Sequence, residues 1–180
     1  ARFFAPGVYA RGEGHQTLSP AMDIQVASNF ERFLYYHFDQ DSDRLVAFMQ
    51  EFTATGSASI GAPPNTQLMS SVAVNTEQTL AAMRDVNQQF QYVLDPHTAV
   101  GYHAACKHLD EMSKGTDIVV VATAHPAKFP DAVQEATGFE PTHPTLEALK
   151  GLDMHRTALP CDIGAVKTYL VEKLQMAREA

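Results

Sequence analysis

The stretch Ala122-Thr123-Ala124-His125-Pro126-Ala127-Lys128-Phe129 puts a hydroxyl, an imidazole and an ammonium group into one short loop. A hydroxyl both donates and accepts, a histidine changes charge near neutrality, and a lysine is a point charge for a phosphate or carboxylate. Lys128 and His125 are therefore placed to meet an anionic substrate group, or else to lie on the surface. His97 follows Asp95-Pro96, an N-cap and a first-turn proline, so its ring lies near a helix N-terminus where the dipole favours a neutral ring. There it either orients an active-site loop or packs. His103, Cys106 and His108 are metal-ligand types, but 103 and 106 share a helix face while 108 points away from 106. No second pair at zinc spacing exists, so no metal site is expected. Asp39, Asp41 and Asp43 lack the glycine and terminal glutamate of a calcium loop and read as a solvated turn. Nothing has the pattern of a nucleophile elbow.

The loop needs elements to hold it. Ile118-Val119-Val120-Val121 is a β-branched run without polar alternation, the pattern of a strand buried on both faces of a parallel sheet. Pro126 stops the ladder, and Pro130-Asp131-Ala132-Val133 opens a helix that ends at Gly138. Strand, loop and helix make one βα step, and in open α/β sheets ligands bind beyond the carboxyl ends of such strands. Asp95-Pro96 opens a helix to about residue 112, whose Ala99, Val100, Ala104 and Ala105 suit close packing on a sheet.

Upstream, Phe3 and Phe4 form a short helical end before a Pro6-Gly7 turn. Ser28-Asn29-Phe30-Glu31 reads as a capping box for a helix over 29–38. A second helix carries Leu45, Phe48, Met49 and Phe52 and ends near Gly56. Residues 56–65 read as a loop, 67–72 as a short helix, and Asn75-Thr76-Glu77-Gln78 as the cap of a longer one buried through Leu80, Met83, Val86 and Phe90. Toward the end come a turn-rich stretch at 139–144, a short helix at 145–149, an edge strand at 157–159, and a last helix capped by Asp162.

With 180 residues, 45% of them apolar and 19% charged, the chain is large enough for one sizeable core. Its net charge of −8 argues against nucleic-acid and anionic-membrane surfaces. No apolar run approaches a membrane span, and the two cysteines, Cys106 and Cys161, fit a reducing cytoplasm better than a disulfide framework.

Three motifs in order, Ser19-Pro20-Ala21-Met22-Asp23-Ile24 with Ala27-Ser28-Asn29-Phe30-Glu31-Arg32, then Asp95-Pro96-His97-Thr98-Ala99-Val100-Gly101, then the 122–129 loop, closely resemble the C-terminal part of bacterial threonine synthase. That family is pyridoxal-phosphate (PLP) dependent and of the tryptophan synthase β-like class. The resemblance implies an α/β fold, a mostly parallel sheet flanked by helices and helix-rich overall. It also implies a single segment over 1–180, with a helical insertion at about 40–92, a βα cofactor-side core at about 93–140, and a C-terminal strand and helix at about 141–180.

By the same resemblance Thr123 faces the pyridine nitrogen of PLP, where a neutral hydroxyl leaves the cofactor a milder electron sink than a carboxylate would. His125, Lys128 and His97 are its candidate active-site loop residues. No catalytic residue is expected in this segment. The family's Schiff-base lysine sits in a Ser-Phe-Lys-Asp-like motif, and none of Lys107, Lys114, Lys128, Lys150, Lys167 or Lys173 has that context. Nor is there a glycine-rich phosphate loop. Both lie upstream in the family, and the opening Ala1-Arg2-Phe3-Phe4, without an initiator Met, fits a chain that starts after the catalytic half. The complete enzyme converts O-phospho-L-homoserine and water to L-threonine and phosphate, so its partners are that substrate and the N-terminal half. The isolated chain is expected to be inactive. The alternatives are a phospho-lyase that gives a keto acid, or a non-catalytic fragment acting as an interaction module.

Overall fold

The computed structural model describes residues 2–64, 69–109 and 115–179, which fall into two units, Ala1–His143 and Pro144–Ala180. In the first unit an aromatic core forms early. Arg2–Phe4 make a 3-10 turn, and strand β1 (Val8–Ala10) pairs antiparallel with β2 (Ser57–Ser59), Tyr9 opposite Ala58. Between them run helices α1 (Phe30–His37) and α2 (Ser42–Thr55). Phe3, Leu34, Phe38, Phe48, Phe52 and Ala58 are buried together. Tyr9 stacks on Phe52 at 4.4 Å between ring centroids, and Phe3 meets Phe30 edge-on at 4.7 Å, the geometry that suits ring quadrupoles. Gly7, just before β1, has φ +72°. A Cβ there would lie 2.2 Å from the Ala62 carbonyl oxygen, so only glycine fits without a shift.

Both short strands escape the sequence reading, which has a loop at 56–65, because three residues are too few to show a period of two. The expected capping box at 28–31 does not form. Asn29 is the N-cap with helical φ and no side-chain bond, and the Phe30 N–H is satisfied by the Ala27 carbonyl instead. The N-cap of α2 falls in the acidic stretch read as a solvated turn: Asp41 accepts from the Arg44 N–H at 3.0 Å, and Gly56 ends the helix as expected, at φ 78°.

A second core is built by α3 (Thr76–Phe90), α4 (Pro96–His108) and α5 (Pro130–Thr137). The Asn75/Gln78 capping box of α3 is complete in both directions. Ala82, Met83 and Val86 meet Leu94 and Ala99 of the α4 region and Val133 and Ala136 of α5. Phe90, expected inside, is 62% exposed at the last residue of α3. Residues 110–112, the expected end of α4, and Gln67-Leu68 of the expected short helix lie outside the described residues. Residues 69–75 carry no helix.

The largest departure concerns 118–121. Among the described residues this run pairs with no strand, and the sheet is the two-stranded β1–β2 ladder rather than a parallel one. Exposure alternates along it: Ile118 and Val120 are half-buried, whereas Val119 is 85% and Val121 70% exposed. Val120 lies against Gly101, where an added Cβ would meet its Cγ1 at 3.5 Å. One face thus rests on α4 while the other has no cover, and a lone strand without neighbours cannot form a ladder.

In the second unit, α6 (Pro144–Glu147) and α7 (Ile163–Glu179) are largely exposed. Asp162 caps α7 as expected, accepting from the Ala165 N–H at 2.8 Å. Residues 157–159, expected as an edge strand, have no ladder partner. No helix among the described residues is long and apolar enough to cross a membrane.

Candidate functional site

The N-terminus of α4 is where distant parts of the first unit converge. Asp95, 1% exposed, caps the helix by accepting from the His97 N–H at 2.9 Å and from the Thr98 hydroxyl, and its Oδ1 lies 3.0 Å from His97 Nδ1. The His97 ring is 7% exposed, and its Nε2 accepts a long hydrogen bond, 3.4 Å, from the Ala21 N–H. Phe129 covers the same ring with centroids 4.8 Å apart.

Ala21 belongs to a turn that is tied within itself. Asp23 accepts from both the Thr17 N–H and the Thr17 hydroxyl at 2.8 Å, and the Thr17 and Ser19 hydroxyls are 3.1 Å apart. Ser19 is buried, and Pro20–Met22 form a 3-10 turn. Beside it lies a cavity of about 290 Å³ whose lining includes His15, Ser19, Asp23, Val74 and Val100.

Phe129 ends the loop that carries the other three predicted residues. Thr123 is exposed at the end of the 118–121 run. His125 caps a 3-10 turn over Pro126–Lys128, its Nδ1 accepting from the Ala127 N–H at 3.1 Å. Since Nδ1 accepts, a neutral His125 ring carries its proton on Nε2, where it can donate. The ring packs edge-on against His143 at 4.7 Å. Lys128 is exposed, and its N–H is held by the His125 carbonyl at 3.0 Å. Thr123, His125 and Lys128 therefore share one solvent-facing loop, while His97 lies beneath its far end, reached through Phe129. Such a surface can offer one hydroxyl, one imidazole donor and one cation to an anionic ligand.

Ala21 and Phe129 are the contributors that the sequence reading missed. A backbone amide has no residue signature, and a lone aromatic after a lysine has no periodicity. The Asp95 cap was legible, but the capture of the His97 side chain by the same carboxylate was not. On α4, His103, Cys106 and His108 join no group of three His, Cys, Asp or Glu able to hold a metal among the described residues. Instead Tyr102 has its pKa raised, first by a hydrogen bond with Cys106 one turn on and then by burial.

Comparison with known proteins bears out the resemblance. Residues 98–170 match the family model described as threonine synthase, C-terminal. The chain is 35% identical over 176 residues to threonine synthase of Pseudomonas aeruginosa, covering 94% of this chain and 37% of the relative. To threonine synthase of Corynebacterium glutamicum it is 33% identical over 182 residues, covering 96% and 37%. The crystal structure of PLP-bound threonine synthase from Brucella melitensis superposes with a TM-score of 0.78 at 35% identity, covering 94% of this chain and 37% of that one. The chain thus spans little more than a third of the length of these relatives, and its helix-rich architecture with a small sheet is found within a PLP-bound threonine synthase.

Proposed function

We propose that this chain, which carries the threonine synthase C-terminal domain, supplies one wall of a PLP site that makes L-threonine and phosphate from O-phospho-L-homoserine and water. The observation that carries the reading is the position of Thr123: inside the matched segment, just past the β-branched 118–121 run, and exposed rather than locked in packing. A threonine hydroxyl can donate to an unprotonated ring nitrogen or accept from a protonated one, so it fits the edge of a pyridine without fixing its charge. When bound, PLP supplies the electron sink that lets the substrate's Cα and Cβ lose protons. Thr123 would orient the ring and leave its sink strength moderate. The His125 Nε2–H and Lys128 would hold an anionic group at the loop. The γ-phosphate leaves as inorganic phosphate and water adds at Cβ, so the atoms of substrate and water are all recovered in the two products.

The chain acts as a single C-terminal segment, with 40–92 as helical insertion and 93–140 as the cofactor-side core. The Schiff-base lysine and phosphate loop would come from a separate N-terminal part. That part would also bring the strands that turn 118–121 into a member of a mostly parallel sheet, which the uncovered Val119 and Val121 support. The exposed free thiols of Cys106 and Cys161 support a reducing compartment, the cytoplasm.

The test joins this chain to the lysine-bearing part of a threonine synthase and follows products from O-phospho-L-homoserine. Threonine and phosphate should form in equal amounts, and Thr123→Val should shift the bound cofactor's absorbance and lower turnover about 10- to 100-fold. A keto acid without threonine would instead identify a phospho-lyase. No cofactor binding by the joined protein would leave only a non-catalytic module.

A further inference from the structure

We infer that His97, as a neutral ring protonated on Nδ1, is a positioning residue that fastens the 19–23 turn to the 123–129 loop. The functional meaning of this latch rests on the proposal that the loop faces a cofactor; its existence does not. The tautomer follows from its partners. An ionised Asp95 can only accept, so the Nδ1 lying 3.0 Å from Oδ1 must donate. That leaves the Nε2 lone pair, and the group facing it is a donor, the Ala21 N–H. The ring is 7% exposed, so water has little access to replace either partner. Its face is covered by Phe129, whose carbonyl accepts the Val133 N–H within α5. One imidazole thus touches the N-terminus of α4, a turn that lies 76 residues earlier in sequence, and the junction between the candidate loop and α5.

Packing alone would need the ring but neither nitrogen. A latch needs the Nε2 acceptor, and a second proton on the ring removes it. The Ala21 N–H would then face an N–H, while the pair with Asp95 would persist. Of the charged groups on the elements around the ring, Asp95 is bonded to it, Asp23 of the turn is taken by Thr17, and Lys128 of the loop is exposed.

The experiment is nitrogen-15 NMR on the 180-residue chain, with hydrogen exchange at Ala21. In the wild type the His97 Nε2 should resonate as an unprotonated nitrogen. His97→Phe, which keeps a ring against Phe129, should speed exchange of the Ala21 amide about fivefold or more. His97→Gln, which keeps an acceptor near the Nε2 position, should retain most of the protection. A proton on Nε2 in the wild type would overturn the inference even if His97→Phe failed to fold. So would unchanged Ala21 exchange in a folded His97→Phe chain. None of these readouts uses PLP, so a failed latch leaves the cofactor proposal standing, and a chain that joins its partner without binding PLP leaves the latch standing.

Discussion

The aromatic segment 2–60 and the β-branched run 118–121 both look like core in the sequence, and the structure treats them in opposite ways. Phe3, Phe38, Phe48 and Phe52 find one another within the first unit, so this core is closed by its own chain. Val119 and Val121 are equally apolar, yet they stay mostly in solvent while Val120 rests on α4. Apolar pattern fixes what wants to be buried, but it does not say whether the cover belongs to the same stretch of chain. A row of exposed β-branched residues without a ladder partner is an unmet demand, the kind that strand addition satisfies. The chain spans 37% of its Pseudomonas relative, and under the proposed function the cover would come from the part of such an enzyme that this chain does not span.

The comparison breaks most readily at the aromatic end. Phe52 is 1% exposed and stacks on Tyr9, so Phe52→Ala should cost about 3–5 kcal/mol in urea denaturation followed by tyrosine fluorescence. A cost under about 1 kcal/mol would mean that this core is not closed within the chain either. Gly7→Ala should come next, at about 1–3 kcal/mol. The added methyl faces the Ala62 carbonyl, and the backbone stays at positive φ, where alanine is disfavoured. Thermal melting would read this effect, and an unchanged midpoint would show that this end of the β1–β2 ladder can open without loss.

How much was legible follows from how local each signal is. Caps such as Asn75 with Gln78, Asp95 and Asp162 announce themselves because donor and acceptor are within a few residues. The Thr123-His125-Lys128 loop was legible for the same reason. What stayed hidden depends on distance or brevity. The β1–β2 pair joins residues about fifty apart through three-residue strands, and Ala21 meets His97 across 76 residues. The 28–31 pattern had the right residues for a capping box, but Asn29 took helical φ and backbone turns satisfied the first amides. Local rules lose wherever a tertiary contact or a competing turn sets the backbone first.

The finest test of the comparison changes the uncovered face and nothing else. Val119→Thr with Val121→Thr keeps β-branched shape and strand propensity, so the backbone preference of the run is preserved. In this chain alone both side chains stand mostly in water, and the double change should move stability by no more than about 0.5 kcal/mol. Once a complementing N-terminal part covers them, each valine would bury apolar area worth about 1.5–3 kcal/mol, and each threonine would bring a hydroxyl in need of a partner. Affinity between the two parts, measured by titration calorimetry, should then fall at least about tenfold. A large stability loss in the chain alone would show that residues of this chain already cover the run. Unchanged affinity would show that the strand is not where the two parts meet.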